Sequence, residues 1–400
     1  MWRSSSARGG ACTLSMSAAG MTGRRSLTGA ERRFVHRVAS EYRPARAPPI
    51  SDPMRTIPAC LRARVLTTFA VLVLLALTVP GRSSAAVTLA NWDASQQQQV
   101  VSAGLMSPLG RSFQGASPMA ASQANGSMAA LAAKISGIAP KGAPGTRTSQ
   151  NPVSLVTFDR MLVDQLGLGD VAAHVEAVAA NVGLTPPAYF GTEVVARFLG
   201  LRYNHPAGTD QLELFPYNAI TRAEAAWSLA QVLDFGDWNV SYARETLSGF
   251  NLPTMTPAQR EVLQIAVSRI GYPYVYAGTS DDTSDGLAHG GFDCSGFAWR
   301  VYKVSGLPWG QKIQGRTAAQ QAGEIPRSQR VPMSRLKPAD LLFFGSAQFN
   351  STATESDIIH EGIYLGDNWV IHSSNQGVYV LPLKGSWLGD SFAWGRDVID

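Results

Sequence analysis

The sequence predicts an α+β fold: a cysteine at a helix N-terminus packed on an antiparallel sheet, preceded by a mainly α-helical region. Three observations lead there. Gly291-Phe292-Asp293-Cys294-Ser295-Gly296 is followed by Phe297 and Val301 at helical spacing, so a helix begins at or next to Cys294. Ile358 to Leu365 and Trp369 to Ser373 are strand-like runs separated by Asp367-Asn368, a pair suited to a tight hairpin turn. Between 87 and 235, Ala-rich segments repeatedly stop at a glycine, as short helices do.

A chain of 400 residues suits two or three domains. Residues 1–86 carry 13 basic and 3 acidic side chains, whereas residues 87–400 carry 21 basic and 26 acidic ones. The overall charge of +5 therefore comes from the leader, and no basic footprint for nucleic acid remains beyond it. Arg55, Arg62 and Arg64 precede an apolar run from Val65 to Val79, then Pro80-Gly81 and the small residues Ser83 to Ala86. That is the layout of a secretory signal over 54–86, and the run is short for a membrane span, which needs about 20 residues. An uncleaved membrane anchor is the less favoured alternative. Residues 1–53, Arg- and Ser-rich without apolar periodicity, are expected to be a non-native, disordered extension upstream of a true start at Met54. The expected location is secreted. Cys12 and Cys60 fall in the leader, which leaves Cys294 alone in the exported part. A single cysteine in a secreted chain forms no internal disulfide and is a candidate reactive thiol.

Residues 87–250 read as helices around Trp92 to Leu105, Met128 to Ile135, Phe158 to Leu166, Val171 to Val182, Thr192 to Leu199 and Thr221 to Leu233, with a flexible connection over Gly137 to Pro152. Thr221 and Glu224 fit a capping box, which by itself only starts a helix. His174 and His205 stand singly and are read as structural. With the preceding Phe215 to Ile220, Thr221-Arg222-Ala223-Glu224 resembles the opening of an S-layer homology helix, and Ala103 to Met106 with Phe113 resembles the start of such a module. Ser127 to Ala132 looks like a second copy without the Arg and Glu. This resemblance implies binding of a cell-wall carbohydrate polymer; a packing spacer is the alternative.

Residues 251–400 form the expected second domain. Thr256-Pro257-Ala258-Gln259 is a strong helix start, with Thr as cap and Pro at the first position. Tyr274-Val275-Tyr276 reads as a short strand, Thr279 to Gly291 as a polar loop and Leu341 to Phe344 as a buried strand. If Asp367 and Asn368 centre the hairpin, Gly362 falls opposite Ser373, and His360 and His372 lie within side-chain reach. A thiol at a helix start is shifted toward thiolate by the dipole. It would attack a carbonyl carbon while His360 takes the thiol proton and His372 orients His360. The Cys294 N–H and the Tyr274 hydroxyl are candidate oxyanion donors. One cysteine and two hairpin histidines are too few for a metal shell, so no metal or cofactor is expected.

Six stretches carry a family resemblance: Gly271 to Tyr276, Phe292 to Phe297, Arg316 to Gln321, Lys337 to Leu341, His360 to Gly366 and Val370 to Ser373. In this order they resemble the NlpC-type cell-wall cysteine peptidases, a papain-like family that cleaves peptidoglycan stem peptides. The resemblance implies Cys294 as nucleophile, His360 as base, His372 as third member, and Asp293 and Ser295 as substrate contacts. The bond cut would join D-glutamate, through its side-chain carboxyl, to the following diamino acid. Three features depart from the family: Ala277 where Gly is frequent, Glu361 where an apolar residue is usual, and a longer, more acidic loop over 279–291. Strand alternation points Glu361 to the face opposite His360. The expected function is a secreted peptidoglycan endopeptidase. The alternatives are a catalytically silent wall-binding protein and a related thiol-dependent amidase or acyltransferase.

Overall fold

The computed structural model describes residues 92–135, 149–281 and 290–400. The expected extension, the signal segment, most of the connection over 137–152 and the acidic middle of the 279–291 loop lie outside the described residues. Among the described residues no helix is long and apolar enough to cross a membrane.

The helices before residue 250 are α1 (Ala94–Ser102), α2 (Ala121–Lys134), α3 (Leu155–Gln165), α4 (Gly169–Asn181), α5 (Phe190–Phe198), α6 (Arg222–Leu233) and α7 (Asp237–Ser248). Gly167, Gly183 and Gly200, the glycines that follow α3, α4 and α5, all have positive φ (69°, 84° and 73°), the left-handed exit that glycine allows at lowest cost. Helix α7 lies beyond the segments singled out in the sequence. Its signal is Val240, Ala243 and Leu247 at three- and four-residue spacing, and these are its buried residues. Ser127 and Met128 sit buried in the middle of α2, so that stretch starts no helix.

The Thr221 motif serves packing. The Thr221 hydroxyl caps α6 by accepting from the Glu224 N–H at 3.2 Å. Glu224 does not reach back to complete the box; its carboxylate meets buried His205 Nε2 at 2.6 Å. Arg222, 2% exposed, donates to the carbonyls of Phe113 (3.0 Å) and Ser107 (2.6 Å).

Helix α8 (Pro257–Val267) opens on the expected box: the Gln259 N–H donates to the Thr256 hydroxyl at 3.3 Å, and Gln259 Oε1 accepts from the Thr256 N–H at 2.8 Å. The chain after it runs irregularly through Tyr274–Tyr276, with no strand there; the short strands are β1 (Thr279–Ser280) and β2 (Gly291–Phe292), paired antiparallel. Val275 instead uses its N–H on the Phe292 carbonyl, and Tyr276 is 72% exposed. A chain held at single points and turning at Ala277 (φ 59°) has no partner along which to extend a ladder.

Helix α9 (Cys294–Trp299) follows β2 and continues as a wider turn over Arg300–Val304. The main sheet has β3 (Arg330–Val331), β4 (Leu341–Gly345), β5 (Ile358–Gly366), β6 (Trp369–Ser374), β7 (Gly377–Pro382) and β8 (Phe392–Arg396), in spatial order β3-β8-β4-β5-β6-β7 and antiparallel throughout. Helix α10 (Ala318–Gly323) packs on β5, and the short α11 (Trp387–Asp390) precedes β8. One sheet face, with Phe343, Ile363 and Ile371, joins the core of α9 and the earlier helices; the other, with Leu342, Phe344 and Val370, forms a second cluster with Trp387 against it. Asp367 and Asn368 form the β5–β6 turn with positive φ at both positions (44° and 79°), the pattern whose twist suits a hairpin.

Candidate active site

Cys294 is the first residue of α9 and partly exposed. Asp293 caps this helix, its Oδ1 accepting from the Gly296 N–H at 2.5 Å. Arg316 clamps the cap, donating to Asp293 Oδ1 and Oδ2 at 3.1 Å each and to Ser295 Oγ at 2.9 Å. Ser295 is buried, whereas the Arg316 side chain is 33% exposed. The expected substrate contacts Asp293 and Ser295 are therefore committed to the helix start and to Arg316. Arg316 was visible only as the head of a motif. Nothing in its spacing gave away that it reaches back across 23 residues.

The histidines come together as the hairpin implied, in a different register. Ile363 pairs with Ile371 and Tyr364 with Val370, and an irregularity between Tyr364 and Gly366 shifts the ladder by one. Gly362 therefore faces His372 rather than Ser373. A Cβ at Gly362 would meet the His372 Cβ at 2.9 Å, so the glycine makes room for the ring. His360 Nε2 lies 2.9 Å from His372 Nδ1. Both residues are fully buried, against Phe344, Trp387 and Tyr379. Burial lowers His360 to about 3, and burial followed by the neighbouring His360 pushes His372 well down, so both rings are neutral at neutral pH. Ser373 ties this hairpin to the cysteine loop, its hydroxyl donating to the Phe292 carbonyl at 2.6 Å.

The cysteine helix packs on β5, and the backbone N–H groups of Glu361 and Ser295 act on the thiol in the direction that favours its anion. Tyr274 lies in the electrostatic field of Cys294 and Asp293, and burial is the main cause that raises its phenol above the usual value. The expectation that the helix start favours thiolate is reversed. Burial pushes the Cys294 thiol strongly up, the Asp293 and Glu361 carboxyls add to this, and the two N–H donors offset it only in part. A neutral thiol and a neutral imidazole are the states that general-base chemistry uses, in which the proton leaves as the sulfur attacks. Glu361 does lie opposite His360, but that face is not solvent. It pairs with Phe343 on the α9 side, where Glu361 is 0% exposed. Ala277, where a glycine is frequent, takes the left-handed φ that favours glycine. Among the described residues no cluster of metal-binding side chains occurs.

Residues 271–395 match the NlpC/P60 family. The probable endopeptidase Rv2190c of Mycobacterium tuberculosis (strain ATCC 25618 / H37Rv) is 34% identical over 127 residues, 31% of this chain and 26% of that protein. Gamma-D-glutamyl-L-lysine dipeptidyl-peptidase of Bacillus cereus (strain ATCC 10987 / NRS 248) is 30% identical over 144 residues, 35% of this chain and 37% of that one. The solved NlpC/p60 domain of the peptidoglycan hydrolase SagA is 26% identical, over 35% of this chain and 97% of that one, with a TM-score of 0.26. The chain thus spans well under half of the length of these two curated relatives, and the helices before residue 250 lie outside the family match. Residues 271–395 are an NlpC/P60 family domain, papain-like, with its helices packed on an antiparallel sheet.

Proposed function

We propose that this protein is a peptidoglycan endopeptidase that hydrolyses stem peptides, at the bond between the side-chain carboxyl of D-glutamate and the following diamino acid, with Cys294 as nucleophile. The observation that carries this reading is the neutral pair His360 Nε2–His372 Nδ1 at 2.9 Å, with Cys294 first in the helix that packs on β5. With Nε2 engaged by His372, the base is His360 Nδ1. It takes the thiol proton as the sulfur bonds to the carbonyl carbon, the charge forms on the carbonyl oxygen near the Cys294 N–H and the Tyr274 hydroxyl, and the imidazolium then protonates the departing amine. Water releases the thioester by the same steps, with His360 again as base. Asp293 and Ser295 contribute to substrate binding by holding Arg316, whose side chain is 33% exposed, at the start of the cysteine helix. Residues 54–86 direct the chain out of the cell, and the region over 87–250 links the enzyme to the wall, as a polymer-binding element or a spacer. The named activities of the relatives and the family match over 271–395 support the hydrolase class.

The test is digestion of purified peptidoglycan by the full chain and by its Cys294→Ala variant, with released fragments read by mass spectrometry. Fragments ending at D-glutamate, lost in the variant, are the expected result. No release by the unchanged chain, with retained pelleting on cell walls, would replace this reading with a binding role.

A further inference from the structure

Glu361 is a carboxyl with no partner. It is fully buried, and neither side-chain oxygen receives a hydrogen bond. It pairs with Phe343 on the sheet face against which the cysteine helix packs, and its charge acts on the Cys294 thiol. The groups that face it are Cys294 and Asp293 at the start of α9, Tyr302 in the turn that continues α9, Arg316, Glu324 at the end of α10, and Arg396 on β8. The two cations are already committed. Arg316 holds Asp293 at 3.1 Å, and Arg396 holds Glu324 at 2.6 Å. Gln321, on the helix packed against β5, also leaves its buried Oε1 without a donor. An ionised Glu361 would be an uncompensated buried charge, which proteins avoid by keeping the group protonated.

We propose that Glu361 is a positioning residue for the thiol: as a neutral acid it permits the Cys294 thiolate to form, and as a carboxylate it opposes the thiolate and suppresses its chemistry. The residue thereby sets an upper pH limit on thiol reactivity. Two like charges in one water-poor site repel more strongly than they would in water, and only the neutral acid leaves room for the sulfur's charge. Burial, then the Asp293 charge, holds the Glu361 carboxyl well above the ordinary carboxylate range, so the neutral acid persists to a pH at which an exposed carboxyl is already charged. This inference rests on the reading of Cys294 as a nucleophile, but its test needs no substrate turnover.

The test follows alkylation of Cys294 by iodoacetamide in the full chain between about pH 5 and pH 10, with the Cys294 peptide quantified by mass spectrometry so that the leader cysteines do not contribute. Glu361→Gln keeps the shape without the charge, and Glu361→Val supplies the kind of apolar residue usual at this position; either one alone suffices if the other fails to fold. The expected result is equal rates at the acid end and a roughly three- to tenfold faster reaction of the variants at the alkaline end, the size of a thiol shift of up to about one unit. Superimposable profiles would overturn the proposal. So would a variant rate raised equally at every pH, because that reports altered access rather than charge. Peptidoglycan digestion run in parallel separates the two ideas: loss of digestion with an intact alkaline difference refutes the proposed function alone.

Discussion

At the scale of single residues, the proposed base role of His360 dictates where the histidine protons sit. For His360 to take a proton at Nδ1, its Nε2 must carry hydrogen and donate to His372 Nδ1, which puts the His372 hydrogen on Nε2, a buried atom without a hydrogen-bond partner. That costs about 1–3 kcal/mol, and the proposed role of His360 requires it, because the opposite tautomer would leave Nδ1 carrying a hydrogen. Replacing His372 by Ala removes the group that fixes the tautomer. It is expected to lower kcat roughly a hundredfold with KM little changed, and Gln, whose amide oxygen can accept from Nε2, is expected to restore part of the loss. Steady-state kinetics on a soluble stem peptide check this; a loss in KM alone would mean that His372 only shapes the cleft.

At the scale of elements, Ala277 stores strain. Its φ of 59° lies in the left-handed region, where an L-residue pays about 1–2 kcal/mol relative to glycine. Glycine adds unfolded-state freedom, so Ala277→Gly is expected to stabilise by a net 0.5–1 kcal/mol or about that, read as a higher midpoint in urea unfolding at unchanged slope. An unchanged or lower midpoint would mean that the Ala277 methyl makes contacts worth as much as the strain. The same turn accounts for one expectation that failed, the strand at Tyr274–Tyr276: aromatic and β-branched composition predicts a strand, but the chain there finds only point contacts. The helix starts at Thr256 and Cys294 and the hairpin at Asp367-Asn368 were legible because caps and turns are local chemistry. The register was legible only to within one residue, because the irregularity between Tyr364 and Gly366 depends on how β5 sits between β4 and β6. The histidine pair survived that error because neighbouring and diagonal positions are both within reach.

At the scale of the whole molecule, the described helices and the sheet share one hydrophobic cluster, and buried Arg197 of α5 joins them by polar bonds. Arg197 pairs with Glu193 at 2.7 Å within α5 and donates to the carbonyls of Gly271, at 2.6 Å, and Gln376, so a helix that precedes the family match holds both the entry to that domain and the β6–β7 turn. Arg197→Met leaves Glu193 as an unpaired buried charge and is expected to cost about 3 kcal/mol, lowering a single cooperative thermal transition followed by both far- and near-ultraviolet circular dichroism. A second, separate transition would show instead that the two regions fold independently. The sequence by itself determined the local features: the helix that begins at the cysteine, the hairpin with its two histidines, and the glycine stops, because each depends on residues a few positions apart. Only the tertiary structure decided the charge states. Burial, and the acidic groups gathered around Cys294 from α9 and β5, turn a thiol expected to be ionised into a neutral one, and they turn Glu361 from a departure in a motif into the group beside the sulfur. Those forces come from parts of the chain far apart in sequence, and no local pattern records them.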